Sequence, residues 1–253
     1  MAARRIELVG LPGLPIVAPG DDLATLILAG VGDAGLTLQP GDVLVVAQKI
    51  VSKAEGRFVD LASVSPGEEA RALAAKCDKD PRLVELILRE SRAVLRYRTN
   101  LVVVEHRLGF VVANAGIDAS NVGQPDRVLL LPENPDASAR RLRETLRERC
   151  GAEVAVIVND SVGRAWRMGT VGTALGCAGL PALVDLRGRP DLFGRALQVS
   201  ETGLADELAS AASLLQGEAA EAMPVVLIRG ADVDGPDTGV GALVRPAERD
   251  MFR

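Results

Sequence analysis

Residues 152–158, Ala-Glu-Val-Ala-Val-Ile-Val, run directly into Asn159-Asp160-Ser161-Val162-Gly163-Arg164-Ala165-Trp166-Arg167, and this stretch decides the fold. The apolar run reads as a buried strand of a parallel sheet, since strands covered on both faces lose the alternation of a half-buried one. A carboxylate and a hydroxyl then sit where the strand ends, and two arginines and the only tryptophan follow. Open α/β sheets bind ligands at the carboxyl ends of their strands. Asp160 and Ser161 offer the hard oxygen ligands that magnesium or manganese prefers. Arg164 and Arg167 suit a phosphate or a carboxylate. Taken alone, the peptide reads equally well as a strand-to-loop turn in which Asp160 caps the next segment.

The composition narrows the choices. With 253 residues and 48% apolar content, the chain can build a sizeable core in one large domain or two small ones. No apolar run reaches the length of a membrane span. Arg4 and Arg5 precede an apolar stretch interrupted by Pro12, Pro15 and Pro19, a poor signal peptide. Cys77, Cys150 and Cys177 are odd in number and far apart, which suggests neither a disulfide framework nor a zinc knuckle and favours a reducing cytoplasm. A net charge of −5 and 2% aromatics argue against a nucleic-acid reader. The single histidine, His106, reads as a solvated residue in a hairpin turn. A multi-histidine zinc site is excluded and a serine–histidine triad disfavoured, so any metal chemistry must use carboxylates and hydroxyls.

Strands are expected near 5–10, 42–48, 101–105, 109–113, 128–131, 153–159, 182–186 and 224–229. Helices are expected near 21–33, 67–77, 80–91, 136–149 and 201–216. The class is α/β, a mixed α+β arrangement, in one domain over 1–253. For helix 136–149, Asp136 reads as the N-cap and Gly151 as the end. Gly169, Gly172, Gly176 and Gly179 match neither a dinucleotide fingerprint nor a P-loop; close packing explains them best. The acidic run 232–237 fails the EF-hand pattern, with Asp237 at its sixth position and Leu243 at its twelfth, and reads as a mobile loop.

Four patches carry possible chemistry. Residues 47–57 bring Gln48, Lys49, Ser52, Lys53 and Arg57 to the end of strand 42–48, suited to polyphosphate or simply to a basic edge. Residues 113–123 place Asp118 and Asn121 in a glycine-bounded loop, which ordinary turn formation would also explain. Asp160-Ser161 is the third. In the fourth, 199–208, acidic residues open a helix; Glu201 there suits the helix dipole, and equally a metal held against a nucleotide.

In sequence order these patches resemble the coenzyme F420-0:L-glutamate ligase family. The residues that carry the resemblance are 13–17 with 19–22, 51–57, 115–123, 160–161 with 163–167, 205–209, and 245–246 with 250–253. The resemblance covers nearly the whole chain. It implies a GTP-dependent ligase that adds L-glutamate to the lactyl carboxylate of coenzyme F420-0, and then further γ-linked glutamates, through an acyl phosphate. It implies magnesium or manganese, two ions per subunit, with potassium as activator. It implies metal ligation by Asp118, Asp160, Ser161 and Glu201. GTP contacts are implied for Leu14, Pro15, Ile16, Val17, Gln48, Lys49, Lys53 and Asn121, and for Val199, Ser200, Glu201, Thr202, Gly203, Leu204, Ala205 and Asp206. It also implies an F420-ligase-like fold in an intertwined homodimer. Lys53 is the expected catalytic cation; Arg164 and Arg167, assigned from chemistry alone, are expected to hold the anionic substrate.

Two positions depart from the family pattern. Ser161 stands where threonine is frequent and keeps the hydroxyl, and Thr202-Gly203 replaces a more aliphatic pair. Some relatives continue into a nitroreductase-like domain beyond the region matching Arg253, whereas this sequence reads as the stand-alone form. GTP over ATP rests on the resemblance, as no NKxD-type guanine-reading motif is present. A metal-dependent nucleotide phosphohydrolase would use the same carboxylates, and a nucleotide-binding regulatory protein would bind without turnover.

Overall fold

The computed structural model describes residues 3–251. In chain order the elements are β1 (Glu7–Gly10), α1 (Leu23–Asp33), β2 (Val43–Ala47), α2 (Gln48–Ala54), β3 (Phe58–Asp60), α3 (Glu68–Cys77), α4 (Pro81–Arg89), β4 (Ser91–Arg98), β5 (Leu101–His106) and β6 (Val111–Ala113). They continue with β7 (Arg127–Leu129), α5 (Pro135–Cys150), β8 (Ala155–Arg164), β9 (Arg167–Ala178), β10 (Val184–Asp185), β11 (Glu201–Thr202), α6 (Leu204–Gln216) and β12 (Val225–Arg229). The class is mixed α/β. No described helix is long and apolar enough to cross a membrane.

The central sheet has the order β1-β12-β2-β8-β9. Only β2 and β8 run parallel; β1–β12, β12–β2 and β8–β9 are antiparallel. Both faces are covered. Leu44, Val46, Val156 and Val158 face α1 and α5, whereas Val43, Val45, Ala155 and Ile157 face α6. This two-sided burial is why β2 and β8 read as continuous apolar runs. Each such side chain contributes about 1.5–3 kcal/mol on burial. At the far end of the sheet the buried Asp42 accepts two hydrogen bonds from Arg229, at 2.8 and 2.7 Å, tying the start of β2 to the end of β12. A second sheet, β4-β5-β6, packs Val102, Val104 and Val112 on α3 and α4.

Several expectations are corrected. Strand β8 does not stop at Asn159. It runs on to Arg164 because β9 pairs with it throughout, so Asp160 and Ser161 lie inside a hairpin and Asp160 caps no helix. The glycine-rich segment is therefore strand β9. The packing expectation holds: a Cβ on Gly172 would strike the Ala209 backbone of α6, and one on Gly176 the Pro135 backbone of α5. Helix α5 is capped by Asn134, which accepts from Ala137 N–H, with Pro135 at its first turn. Asp136 instead accepts from the amides of Cys177 and Val240. Gly151 closes the helix with φ 73°. Residues 48–54 form helix α2, and the segment after α4 forms β4, whose two register shifts break the alternation that marks a strand. The expected helix 201–216 begins only at Leu204, because Glu201 and Thr202 pair with β10. The loop 232–237 is anchored where Asp237 accepts from Gly179 N–H.

His106 is fully buried, not solvated. Its ring stacks on Phe110 at 5.0 Å, and Nδ1 accepts from Leu108 N–H. Burial first, then the neighbouring arginines, pushes its pKa down to about 4. The imidazole is therefore neutral, with its proton on Nε2.

Gly176→Val should lower the melting temperature strongly, by about 1–3 kcal/mol of overpacking or more, since backbone must move. The same change at the open Gly169, where a Cβ meets nothing within 4 Å, should cost only left-handed strain. Equal losses in thermal unfolding would show that helix contact does not govern Gly176.

Candidate active site

The parallel register sets Ala47 opposite Asn159, so α2 begins beside the part of β8 that carries Asp160 and Ser161. An open groove of about 1170 Å³ lies over this edge. It is lined by Leu14 to Val17, by Gln48, Lys49 and Lys53 of α2, by Asp118 and Asn121, and by β8 from Asn159 to Arg164, with Arg167 across the hairpin.

The loop that carries Asp118 is fixed by its backbone. Asp118 N–H donates to the Leu129 carbonyl at 2.9 Å and its own carbonyl accepts from Leu129 N–H at 2.8 Å. Just before it, Asn114 and Ala115 take left-handed φ of 50° and 54°, and Asn114 Oδ1 accepts from Val102 N–H at 3.1 Å. The chain thereby leaves β6 in a tight turn that aims Asp118 at α2. Gln48 Nε2 donates to Asp118 Oδ2 at 2.8 Å, and Ser52 Oγ donates to Gln48 Oε1 at 2.9 Å. Lys49 Nζ lies 3.5 Å from the same carboxylate oxygen and donates to Ser120 Oγ at 3.1 Å.

The charges disturb one another. Burial raises the pKa of Asp118, while Lys49 and Gln48 pull it back. Burial, then the neighbouring Asp118 charge, pushes Asp160 up to about 7. Lys53 is lowered by burial and then by Lys49. Two carboxylates crowded together and deprived of water call for a cation. The remaining donors suit a hard one: Ser161 Oγ, and Glu218, whose Oε1 accepts from Ser161 at 2.5 Å and Thr170 at 3.2 Å. The set is all oxygen, as magnesium and manganese prefer. Among the described residues no three histidine, cysteine or acidic side chains already form a metal cage.

A family model described as F420-0:Gamma-glutamyl ligase matches residues 13–230 of the chain. The chain belongs to this family. Similar proteins include the coenzyme F420:L-glutamate ligases of Methanothermobacter thermautotrophicus, 46% identical over 98% of this chain and 99% of that one, and of Methanopyrus kandleri, 45% identical over 96% and 99%. That of Methanocaldococcus jannaschii is 42% identical over 99% and 98%.

In this family member the groove gathers three of the four patches. The fourth lies elsewhere. Glu201 sits on the β10–β11 ribbon, 3.3 Å from Arg187. Asp206 accepts from Ala174 N–H and lines a separate cavity of about 340 Å³ with Phe110 and Leu243. None of residues 199–206 lines the groove. Helix α6 explains this: its 13 residues span about 20 Å at 1.5 Å each, and only its carboxyl end reaches the groove. The segments 216–219 and 222–224 line the groove instead.

Gln216 is part of a polar lock. Its Nε2 donates to the carbonyls of Val45 and Pro224, both at 3.2 Å, and its Oε1 accepts from Asn159 Nδ2 at 2.9 Å. Sequence reading missed Gln216, Glu218 and Asn159. The signal available was strand direction: Val225 pairs with Val46 at the end of β2, so whatever precedes β12 must lie over the groove. The motif residues Phe252 and Arg253 fall outside the described residues.

A carboxyl with a raised folded pKa weakens the fold above that pKa and not below its unfolded value. Asp160→Asn should therefore raise the melting temperature of the metal-free protein at pH 8, and change it little near pH 4. Thermal unfolding in chelator at both pH values checks this; a stabilisation independent of pH would remove the ionised carboxylate as its cause.

Proposed function

We propose that the chain is a coenzyme F420-0:L-glutamate ligase that uses GTP, forms an acyl phosphate on the acceptor's lactyl carboxylate, and goes on to add further γ-linked glutamates. One observation carries the reading: paired carboxylates, two lysines and three arginines share a single groove in a chain of this ligase family.

The chemistry requires such a site. A carboxylate resists attack by an amine because its oxygen is a poor leaving group. In the first step the acceptor carboxylate oxygen bonds to the γ-phosphorus of GTP and the bond to the β-phosphate oxygen breaks, releasing GDP. In the second, the glutamate amine attacks the acyl carbon, the bond to phosphate breaks, and the amine loses a proton as the amide forms. Two anions must meet in the first step, so charge neutralisation governs the barrier. Lys53, its pKa lowered by burial and then by Lys49, and Lys49 itself supply positive charge beside the phosphates. Leu14 to Val17 and Asn121 line the wall available to the rest of the nucleotide.

Magnesium or manganese, two ions per subunit in this reading, would be held by Asp118, Asp160, Ser161 and Glu218, and would supply charge neutralisation at the phosphates. Glu218 joins these oxygens because it bonds Ser161, and Glu201, on the β10–β11 arm, keeps the metal role that the resemblance implies. Potassium as activator and a cytoplasmic location complete the reading.

Incubating the purified protein with F420-0, L-glutamate, GTP and manganese should give products that gain one glutamyl unit at a time, absent without nucleotide or metal. GTP hydrolysis with the acceptor unchanged would replace the ligase by a phosphohydrolase. Asp118→Asn should lower kcat by at least about a hundredfold, as losing a charge-stabilising group does.

A homodimer belongs to the same reading. Leu192 and Phe193, 98% and 87% exposed, sit at the tip of the β10–β11 arm, with Val199 and, on the β8–β9 hairpin, Met168 also exposed. Apolar side chains gathered on projecting arms fit an interface between copies. Sedimentation should show a dimer for the wild type and a shift towards monomer for Leu192→Ser with Phe193→Ser; an unchanged monomer for both would end the dimer proposal.

A further inference from the structure

The groove has a second wall that the chemistry above does not use. Sheet β4-β5-β6 buries Val102, Val104 and Val112 on one face. By strand alternation Leu101 and Val103 point to the other, and both line the groove. Arg98 pairs with Leu101 across the β4–β5 ladder, so its side chain shares that face, and it too lines the groove. The β8–β9 hairpin lines the same groove through Val162, Arg164 and Arg167. Val162 packs against the core of the β4-β5-β6 sheet, and Arg164 follows two residues along the strand. Among the described residues Arg98 and Arg167 make no ion pair or side-chain hydrogen bond, and Arg164 makes only a 3.4 Å contact to the Met168 carbonyl. By contrast, Lys49 is engaged by Asp118 at 3.5 Å.

We propose that Arg98, flanked by Leu101 and Val103, is an acceptor subsite: it binds the carboxylate-bearing tail of the acceptor from the wall facing Arg164 and Arg167. Uncommitted guanidinium groups in a chain of net charge −5 mark where an anion is received, and arginine's planar fork suits a carboxylate. The apolar neighbours on the same sheet face, Leu101 and Val103, accept the methylene portions of a tail. The nucleotide phosphates belong to the other wall, where Lys49 and Lys53 stand over Asp118 and Asp160. Arg98 thus selects the acceptor and leaves nucleotide binding alone.

The inference rests on the proposed ligase activity, and the test separates the two. Wild type, Arg98→Gln and Arg98→Lys are compared by initial rates with F420-0, L-glutamate or GTP varied in turn, and by direct binding of F420-0 without nucleotide. Arg98→Gln should raise KM and Kd for F420-0 roughly tenfold, about one charge-assisted hydrogen bond. KM for GTP and for glutamate should stay within about twofold, and Arg98→Lys should recover part of the loss. Arg98 is exposed at the end of its strand, so the melting temperature should not change. An unchanged F420-0 KM and Kd, or an increase confined to GTP or glutamate, would overturn the subsite while the ligase stands. A wild-type protein that never glutamylates F420-0 would overturn the ligase reading itself, and the subsite with it.

Discussion

The groove depends on one parallel pairing. Were β8 antiparallel to β2, Ala47 and Asn159 would lie at opposite ends of the sheet. As it is, they are neighbours, and the lysines that follow one strand meet the carboxylate carried by the other. The antiparallel strands on either side then add to the same edge. Strand β12 starts there, bringing the segment from Gln216 to Pro224, and β9 returns there, lengthening β8 into a wall. A single crossover from β2 to β8 thus decides which of the chain's charges can interact. The residues between them are long enough to build the β4-β5-β6 sheet that supplies the other wall.

Placement by strand direction also explains how much the sequence disclosed. Apolar runs buried on two faces are conspicuous, so β2, β8 and β12 were legible, as were helices with a clear apolar stripe such as α4 and α5. The glycines of β9 hid a strand, because glycine is poor in strands on average. Gly172 and Gly176 are required here since Ala209 and Pro135 come too close for a Cβ. His106 was misread because a polar residue in a turn is usually solvated, and nothing local announces a stacking partner four residues on. Residues 48–53, 118–121 and 160–167 were legible as polar groups following apolar strands, and the structure brings them to one groove. The segment after α6 was not. Its contribution comes from the direction of β12, a long-range property with no local signature.

The electrostatics of the groove are those of a site built to be completed by its ligands. Burial and the Asp118 charge raise the cost of ionising Asp160, Lys49 partly relieves Asp118, and Arg98 and Arg167 make no ion pair among the described residues. Such an arrangement contributes little to stability on its own, because buried charges must recover their lost hydration. The stability comes instead from the two apolar layers around the sheet and from the Asp42–Arg229 pair at its other end. Separating the two functions spatially lets the site remain under-neutralised without endangering the fold.

The last described residues have a consequence for how the chain is handled. Residues after β12 are stitched along the molecule: Asp237 to Gly179, Thr238 to Ala182, and Val240 to Asp136. They end with Asp250 on the rim of both the large groove and the smaller cavity. Removing the residues after β12 would therefore cut these ties and take Asp250 from the lining of the groove. Trimming the residues before Glu7 would not touch the groove in this way, since Glu7 pairs with Arg229 at the opposite end of the sheet.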